Sequence, residues 1–101
     1  MIRIPKGDAD TLTETVTGLS SLSGYTAKLY LYDNSGTLKL TETGTIATLT
    51  ISYDITNEDT KSLAVGKYFI ETKIFDAADH VYTLQRKKPL IIDYVYNSDP
   101  S

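Results

Sequence analysis

The sequence has no cysteine, no tryptophan and only one histidine, and its single methionine is the first residue. Without cysteine there is no disulfide framework and no thiolate zinc site, which fits synthesis in a reducing cytoplasm. Catalysis by a nucleophile and a base needs a histidine or its equivalent beside a serine, threonine or cysteine. His80 follows Asp79 in a predicted turn, where a histidine is ordinarily solvated. We therefore expect no catalytic residue and no enzyme.

Long apolar runs and an excess of basic residues are also missing. No stretch approaches the roughly 18 apolar residues of a membrane helix, and residues 1–6 lack the apolar core of a signal peptide. The formal net charge of -3 and the isoelectric point of about 4.9 provide no broad basic field for nucleic acid or an anionic membrane. We expect neither nucleic acid nor membrane as a partner.

The residues that are abundant favour a single β domain. A chain of 101 residues, 41% of them hydrophobic, is long enough for one core and too short for two. Threonine occurs 15 times and tyrosine 8 times, and both suit a half-buried pleated surface. We expect one domain over residues 1–101, with residues 97–101 as a frayed polar tail.

Apolar residues recur with a spacing of two, which predicts seven strands at 11–16, 25–32, 37–43, 46–55, 66–75, 80–86 and 90–96. The first reads as an edge strand, and the turn at 33–36 predicts a hairpin that points Leu38 and Leu40 inward. In the clearest segment, 46–55, one face holds Ala47, Leu49, Ile51, Tyr53 and Ile55.

A short helical turn is expected near 57–63, because Thr56 with Asp59 three positions later is typical of a helix cap. Seven short strands and one helical turn predict an immunoglobulin-like antiparallel β-sandwich. A small barrel is the alternative. A break is expected at Lys87-Lys88-Pro89, between the last two strands.

Acidic and amide residues in and near the predicted turns are the candidates for a metal site. Together they could supply oxygen ligands for calcium at one end of a sandwich; they are Asp33, Asn34, Asp54, Asp76 and Asp79. No twelve-residue calcium loop with its closing glutamate is present, and aspartate and asparagine are ordinary turn residues. The only basic cluster, residues 86–88, is a weak signal for phosphate. We expect no metal and no cofactor.

Four tyrosines on predicted strands, Tyr30, Tyr32, Tyr94 and Tyr96, could form an exposed aromatic strip. A tyrosine ring is apolar with a polar tip, and such strips bind proteins or sugars. Ordinary packing, under a neighbouring loop or subunit, is the other explanation. We favour a protein partner and nominate these four residues as partner-binding.

Four short segments form an ordered series; they are Lys6-Gly7-Asp8, LSGYTAK at 22–28, TKSLAVGKY at 60–68 and VYTL at 81–84. The series resembles the small immunoglobulin-like sandwich domains of tailed bacteriophages, such as the N-terminal domain of baseplate upper proteins and related head-fibre or tail accessory domains. The resemblance runs over nearly the whole chain.

That resemblance implies a non-enzymatic structural or assembly component of a phage virion, in the baseplate, tail or head fibre. Such a component would be synthesised in the host cytoplasm and would contact other virion proteins, with a homo-oligomer as a further option. The alternative function is a carbohydrate-binding or host-adhesion module that uses the exposed tyrosines.

Overall fold

The computed structural model describes residues 2–93, which contain eight strands and one short helix. In chain order these are β1 (Ile2–Pro5), β2 (Asp10–Thr15), β3 (Thr26–Asp33), β4 (Leu38–Thr43), β5 (Thr45–Ala47), β6 (Thr50–Ile55), α1 (Asn57–Lys61), β7 (Gly66–Phe75) and β8 (Val81–Asp93). Tyr94 and Tyr96 lie outside the described residues.

The strands form two sheets, and the predicted immunoglobulin-like β-sandwich is confirmed. The larger sheet has the order β1-β8-β7-β3-β4, and the smaller has the order β2-β6-β5. Within residues 2–93 the strands pair antiparallel, except that β1 runs parallel to β8. The strand β2 lies at a sheet edge, as its threonine-rich sequence predicts.

The core lies between the two sheets and follows the period-two pattern. On β7, Tyr68, Ile70, Thr72 and Ile74 are buried while the residues between them are only half-buried. Ala27, Leu29 and Leu31 of β3 alternate in the same way. Burial of each large aliphatic side chain contributes about 1.5 to 3 kcal/mol, so this alternation decides which face of each strand turns inward.

The helix α1 begins at the predicted cap. Thr56 Oγ1 accepts a hydrogen bond from the Asp59 amide at 3.2 Å, and the Asp59 carboxylate accepts one from the Thr56 amide at 3.0 Å. Thr60 is fully buried and donates to the Asp8 carbonyl at 2.6 Å, which ties the helix to the connection between β1 and β2. Leu63, just after the helix, enters the core.

The prediction of one continuous strand over residues 46–55 is wrong, because the chain reverses direction within this segment. Thr48 adopts a φ of 58°, and the strands β5 and β6 form a hairpin around it. Ile46 packs on the core and Ala47 is exposed, opposite to the prediction. The alternation of apolar residues continues through this turn, and neither glycine nor asparagine stands there to indicate it. The sequence therefore does not reveal the reversal.

The inward orientation predicted for Leu38 is also wrong, since this side chain is 49% exposed. The register between β3 and β4 shifts between Leu31 and Tyr32, so that Leu38 pairs with Tyr32. A bulge of this kind inverts the direction of the side chains beyond it. Leu40, on the other side of the shift, points inward and packs on the core as predicted.

The expected break at residues 87–89 is an irregularity within one long strand, β8. Lys87 has a φ of 54°, and the pairing of β7 with β8 shifts on both sides of Thr72. The extra residues bulge while the strand continues. The strand β1 was not predicted; it is four residues long and pairs with Leu90 to Asp93, far along the sequence.

Residues 2–93 contain no helix that is long and apolar enough to cross a membrane.

Candidate functional site

Aromatic side chains lie on the outer side of the larger sheet, away from the core. Tyr30 and Tyr32 on β3 and Phe69 and Phe75 on β7 occupy the positions between the buried residues, and all four are half-buried. Tyr32 is directly opposite Phe69 in the strand pairing. We call these four residues the aromatic face.

The aromatic face is extended on both sides by apolar residues of the flanking strands. Leu38 of β4 pairs with Tyr32, and Pro89 of β8 pairs with Phe69. The four side chains therefore form a row across four neighbouring strands, about 14 Å long at the usual strand spacing. This row requires the bulge that turns Leu38 outward.

Lysine side chains lie against the aromatic rings. The Nζ atom of Lys73 is 5.7 Å from the centre of the Tyr30 ring, and that of Lys67 is 6.0 Å from the centre of the Phe69 ring. At these distances an ammonium group is attracted by the negative face of the ring, by about 0.5 to 1 kcal/mol at an exposed site. A positive charge therefore lies beside each of these two rings.

The outward charges of β3 and β7 are mostly positive, although the whole chain carries -3. They are Lys28 on β3 and Lys67, Glu71 and Lys73 on β7. Glu71 lies 3.5 Å from Lys73, and Lys28 is directly opposite Lys73 in the pairing. Like charges directly opposite each other on neighbouring strands are destabilising, so this part of the face favours an anionic neighbour.

A groove of about 440 Å³ lies at one end of the aromatic face, between the β3–β4 turn and residues that include Tyr32, Phe69 and Lys87. The turn is held by the Asp33 carboxylate, which accepts from the amides of Ser35 and Thr37, each at 2.9 Å. Hydrogen bonds from the Ser35 hydroxyl and then the Thr37 amide lower the pKa of Asp33. The rim of the groove is therefore an ordered turn.

The structure places Tyr30 and Tyr32 together on this face, and their role in partner binding stays a prediction. Tyr94 and Tyr96 lie outside the described residues. Sequence reasoning did not nominate Phe69 and Phe75, although the alternation of 66–75 already set them opposite the core-facing residues. Their position beside the tyrosines follows only from the pairing of β3 with β7.

A second feature is a cleft of about 240 Å³ between the two sheets, which we call the inter-sheet cleft. It is lined by Ile2, Thr11, Leu12, Thr13, Glu14, Leu29, Tyr53, Ile70, Thr72, Gln85 and Lys88. The Glu14 Oε1 atom accepts a hydrogen bond from the Thr72 hydroxyl at 3.1 Å. Glu14 Oε2 and Tyr53 Oη are both buried and have no hydrogen-bond partner among the described residues.

The titrating groups of the inter-sheet cleft are shifted by burial. Burial raises the pKa of Glu14, while its hydrogen bond with Thr72, the nearby Gln85 side chain and the charge of Lys88 oppose the rise. Burial also raises the pKa of Tyr53, the negative charge of Glu14 adds to it, and Thr72 opposes it. The Tyr53 hydroxyl consequently keeps its proton and remains a hydrogen-bond donor. Sequence reasoning did not nominate Glu14, and an acid on the same face of the strand as Leu12 and Val16 is the signal that could have indicated this cleft.

The candidate calcium ligands are not brought together. The Asp76 carboxylate accepts hydrogen bonds from amides of the turn before β8 and lies 2.9 Å from His80 Nδ1. In the same way, Asp33 accepts hydrogen bonds within the turn before β4. Asp54 accepts a hydrogen bond from the Thr11 hydroxyl at 3.1 Å. Between residues 2 and 93 no group of three or more histidine, cysteine, aspartate or glutamate residues is placed to hold a metal ion.

The comparison with known proteins identifies a shared fold. No family model and no curated protein match the chain. The crystal structure of CopC from Methylosinus trichosporium OB3b is similar, with a TM-score of 0.56, 14% sequence identity and coverage of 95% of this chain and 86% of that chain. At this identity the likeness shows the fold alone. The class defined here is thus the immunoglobulin-like β-sandwich.

The predicted function as a phage virion component is wrong. CopC, a solved structure with the same fold, is not a phage domain, and no family model supports a phage immunoglobulin-like domain. The alternative, a carbohydrate-binding or adhesion module, gains no support either. The segments that carried the resemblance have structural roles; TKSLAVGKY, for example, contains the end of α1, the buried Leu63 and the start of β7. Location in a virion stays a prediction.

Proposed function

We propose that the chain is a non-catalytic binding domain that holds a partner protein on its aromatic face. The observation that carries this proposal is the outward apolar row of Leu38, Tyr32, Phe69 and Pro89 across four neighbouring strands. Aromatic residues at the centre of a contact supply much of the binding free energy when they are desolvated by the partner. A flat row supported by paired strands offers this area without reordering the backbone.

The charges around the row select the chemistry of the partner. Lys28, Lys67 and Lys73 outnumber Glu71 on the outward side of β3 and β7, and Lys28 faces Lys73 directly. Two copies of this chain joined through the same face would bring these lysines together. A partner with acidic side chains around an apolar centre would instead offset the repulsion between them.

The available side chains favour binding over catalysis. The histidine is 69% exposed at its side chain and pairs with Asp76 in the turn before β8. The aromatic face and the charged residues around it provide rings, ammonium groups and one carboxylate, which suit recognition. A catalytic base beside a nucleophile is not among these groups.

Site-specific photocrosslinking in the cells that make the protein tests the proposal. Tyr32 is replaced by p-benzoylphenylalanine, and the exposed Ser20 in the loop before β3 is replaced in a matched control. We expect a discrete adduct from position 32 and none from position 20. Charge reversal at Lys28 and Lys73 to glutamate should lower the yield of that adduct by about tenfold or more. The captured protein should have an acidic surface at the crosslinked site.

Three results would contradict the proposal. An adduct of equal yield from the Ser20 control would show that contact is not specific to the aromatic face. A particle with twice the 11.2 kDa mass of the chain in light scattering, lost on Tyr32→Ala, would make the partner a second copy. Binding of a single-stranded oligonucleotide, with shifts at Tyr30 and Phe69 in NMR, would make the partner a nucleic acid.

A further inference from the structure

We propose that the inter-sheet cleft binds a small neutral molecule that has an apolar body and a hydroxyl group, with Glu14 and Tyr53 as its hydrogen-bonding partners. This inference is independent of the aromatic face, since the cleft lies on the inner side of the larger sheet. It is carried by two buried polar atoms and the volume between them.

The two polar atoms belong to neighbouring strands of the smaller sheet. Tyr53 of β6 pairs with Leu12 of β2, and Glu14 lies two residues further along β2 on the same side. Tyr53 is 1% exposed, yet its hydroxyl has no hydrogen-bond partner among residues 2–93. Glu14 uses one carboxylate oxygen for Thr72, and the other has no such partner.

Leaving a buried polar atom without a partner costs about 1 to 3 kcal/mol. Two such atoms at one cleft indicate a place where a third group completes the hydrogen bonds. A hydroxyl group meets both needs, because it donates to Glu14 Oε2 and accepts from Tyr53 Oη. The raised pKa of Tyr53 keeps its hydroxyl protonated for this donation.

The remainder of the cleft determines the body of the molecule. Leu12, Leu29 and Ile70 form an apolar wall. The volume of about 240 Å³ is several times the roughly 30 Å³ that one water molecule occupies. Lys88 also lines the cleft, and its positive charge acts on Glu14. A cationic ligand would be attracted by Glu14 and repelled by Lys88, so it would gain little binding free energy.

The cleft opens to solvent beside the edge strand β2. Thr11, Thr13 and Lys88 are exposed at its lining, whereas Leu29, Tyr53 and Ile70 are buried at its base. The molecule would therefore enter with its hydroxyl group directed toward the base.

NMR titration of the complete chain tests the proposal. The probes are p-cresol, benzyl alcohol and cyclohexanol, and toluene is the control without a hydroxyl group. We expect saturable shifts at cleft residues such as Leu12, Thr72 and Gln85, with dissociation constants about three- to tenfold lower for the hydroxyl probes than for toluene. Tyr53→Phe should reduce this difference, because only the bond to Glu14 remains, and Tyr30→Phe, which deletes a hydroxyl on the aromatic face, should leave it unchanged.

Each contrary result bears on a separate part of the inference. Absence of saturable shifts with all four compounds would show that the cleft is not a ligand site. Equal affinity for toluene and the hydroxyl probes would remove the roles of Glu14 and Tyr53. Shifts confined to the aromatic face would place binding elsewhere. If Tyr53→Phe does not fold, Thr72→Val serves as the second variant. This substitution removes the hydrogen bond to Glu14 Oε1 and leaves Oε2 and Tyr53 Oη in place. We expect the Thr72→Val protein to keep its preference for the hydroxyl probes.

Discussion

Two buried tyrosine hydroxyl groups in this core differ in whether they have a partner. Tyr68 Oη donates a hydrogen bond to the Ala64 carbonyl at 2.7 Å, whereas Tyr53 Oη has no partner among the described residues. Both rings belong to the core cluster. The pair therefore separates the contribution of a hydroxyl group from that of its ring.

We predict opposite results for the two tyrosine-to-phenylalanine substitutions. Tyr68→Phe should lower the free energy of unfolding by about 0.5 to 1.5 kcal/mol, because a hydrogen bond is lost. Tyr53→Phe should leave it unchanged or raise it, because a buried hydroxyl without a partner is removed. Urea denaturation followed by circular dichroism measures both. Destabilisation of Tyr53→Phe by as much as Tyr68→Phe would mean that Tyr53 Oη has a partner in solution.

At the scale of elements, Gly44 joins β4 in the larger sheet to β5 in the smaller one. Its amide donates to the Ala27 carbonyl at 2.9 Å. A Cβ atom at this position would lie 2.6 Å from Ile51 Cγ2 and 2.8 Å from Tyr53 Cε1. Both neighbours are fully buried and have little space in which to move.

Gly44→Ala should therefore destabilise the fold by about 1 to 3 kcal/mol, the usual range for overpacking a core. Gly36→Ala is the control. Gly36 has a φ of 93° and no atom within 4 Å of an added Cβ, so that only backbone strain of about 1 to 2 kcal/mol is expected there. Tyr53→Phe cannot relieve the Gly44 clash, since the ring carbon is retained. Thermal unfolding measures all of these variants, and wild-type stability in Gly44→Ala would contradict the contact.

Element positions could be predicted wherever the signal was local. The strand β7 was predicted with its observed bounds, and α1 with its cap, because alternation and a side chain three residues away are short-range features. The hairpin at Thr48, the bulge in β4 beside Leu38 and the parallel strand β1 could not be predicted. The strand β1 pairs with the distant β8, whereas the hairpin and the bulge change the register between neighbouring strands, which alternation within one strand does not show.

At the scale of the whole molecule, acidic side chains of the larger sheet and of the helix shift one another's pKa. Burial raises the pKa of Glu42 on β4 to about 7, and a hydrogen bond with Asp59 and the charges of Asp59 and Asp54 add to the rise. Burial acts to raise the pKa of Asp59, but hydrogen bonds from Glu42 and Thr56 lower it overall. These directions keep the proton on Glu42 while Asp59 is ionised.

The pH dependence of stability follows from these directions. The folded state binds the Glu42 proton more tightly than the unfolded state, so this group favours folding below pH 4.5, and stability falls as the pH rises from 4.5 to about 7. Asp59 acts in the other direction: its contribution is complete above pH 3.8 and is lost as the pH falls through its lowered folded-state pKa. The two windows are separate. Glu14, whose pKa is also raised, adds to the fall at higher pH.

We predict that Glu42→Gln has a flatter stability profile than wild type between pH 4.5 and pH 7, because a neutral amide replaces the group that loses its proton there. Melting temperatures measured across this range test it. Glu58→Gln, which removes an exposed acid of α1, should keep the wild-type slope. An equally steep fall in Glu42→Gln would show that Glu42 does not carry the dependence.

The function inferred from short motifs failed for a physical reason. A segment such as TKSLAVGKY combines the end of a helical turn, an apolar plug and a strand start, which any sandwich of this kind needs. Such a segment indicates the fold and carries little information about the partner. The candidate sites, in contrast, consist of side chains from separate strands.

The sequence by itself determined the class of fold, most strand positions, the capped helix and the alternation of buried and exposed side chains along β3 and β7, because all of these follow from residues two to four positions apart. Tertiary structure alone decided that Tyr32 meets Phe69 and that Glu14, Tyr53 and Thr72 share one cleft. These contacts depend on strand register and on how the two sheets stack. Both are settled by the summed burial of the whole core, which no short stretch of sequence contains.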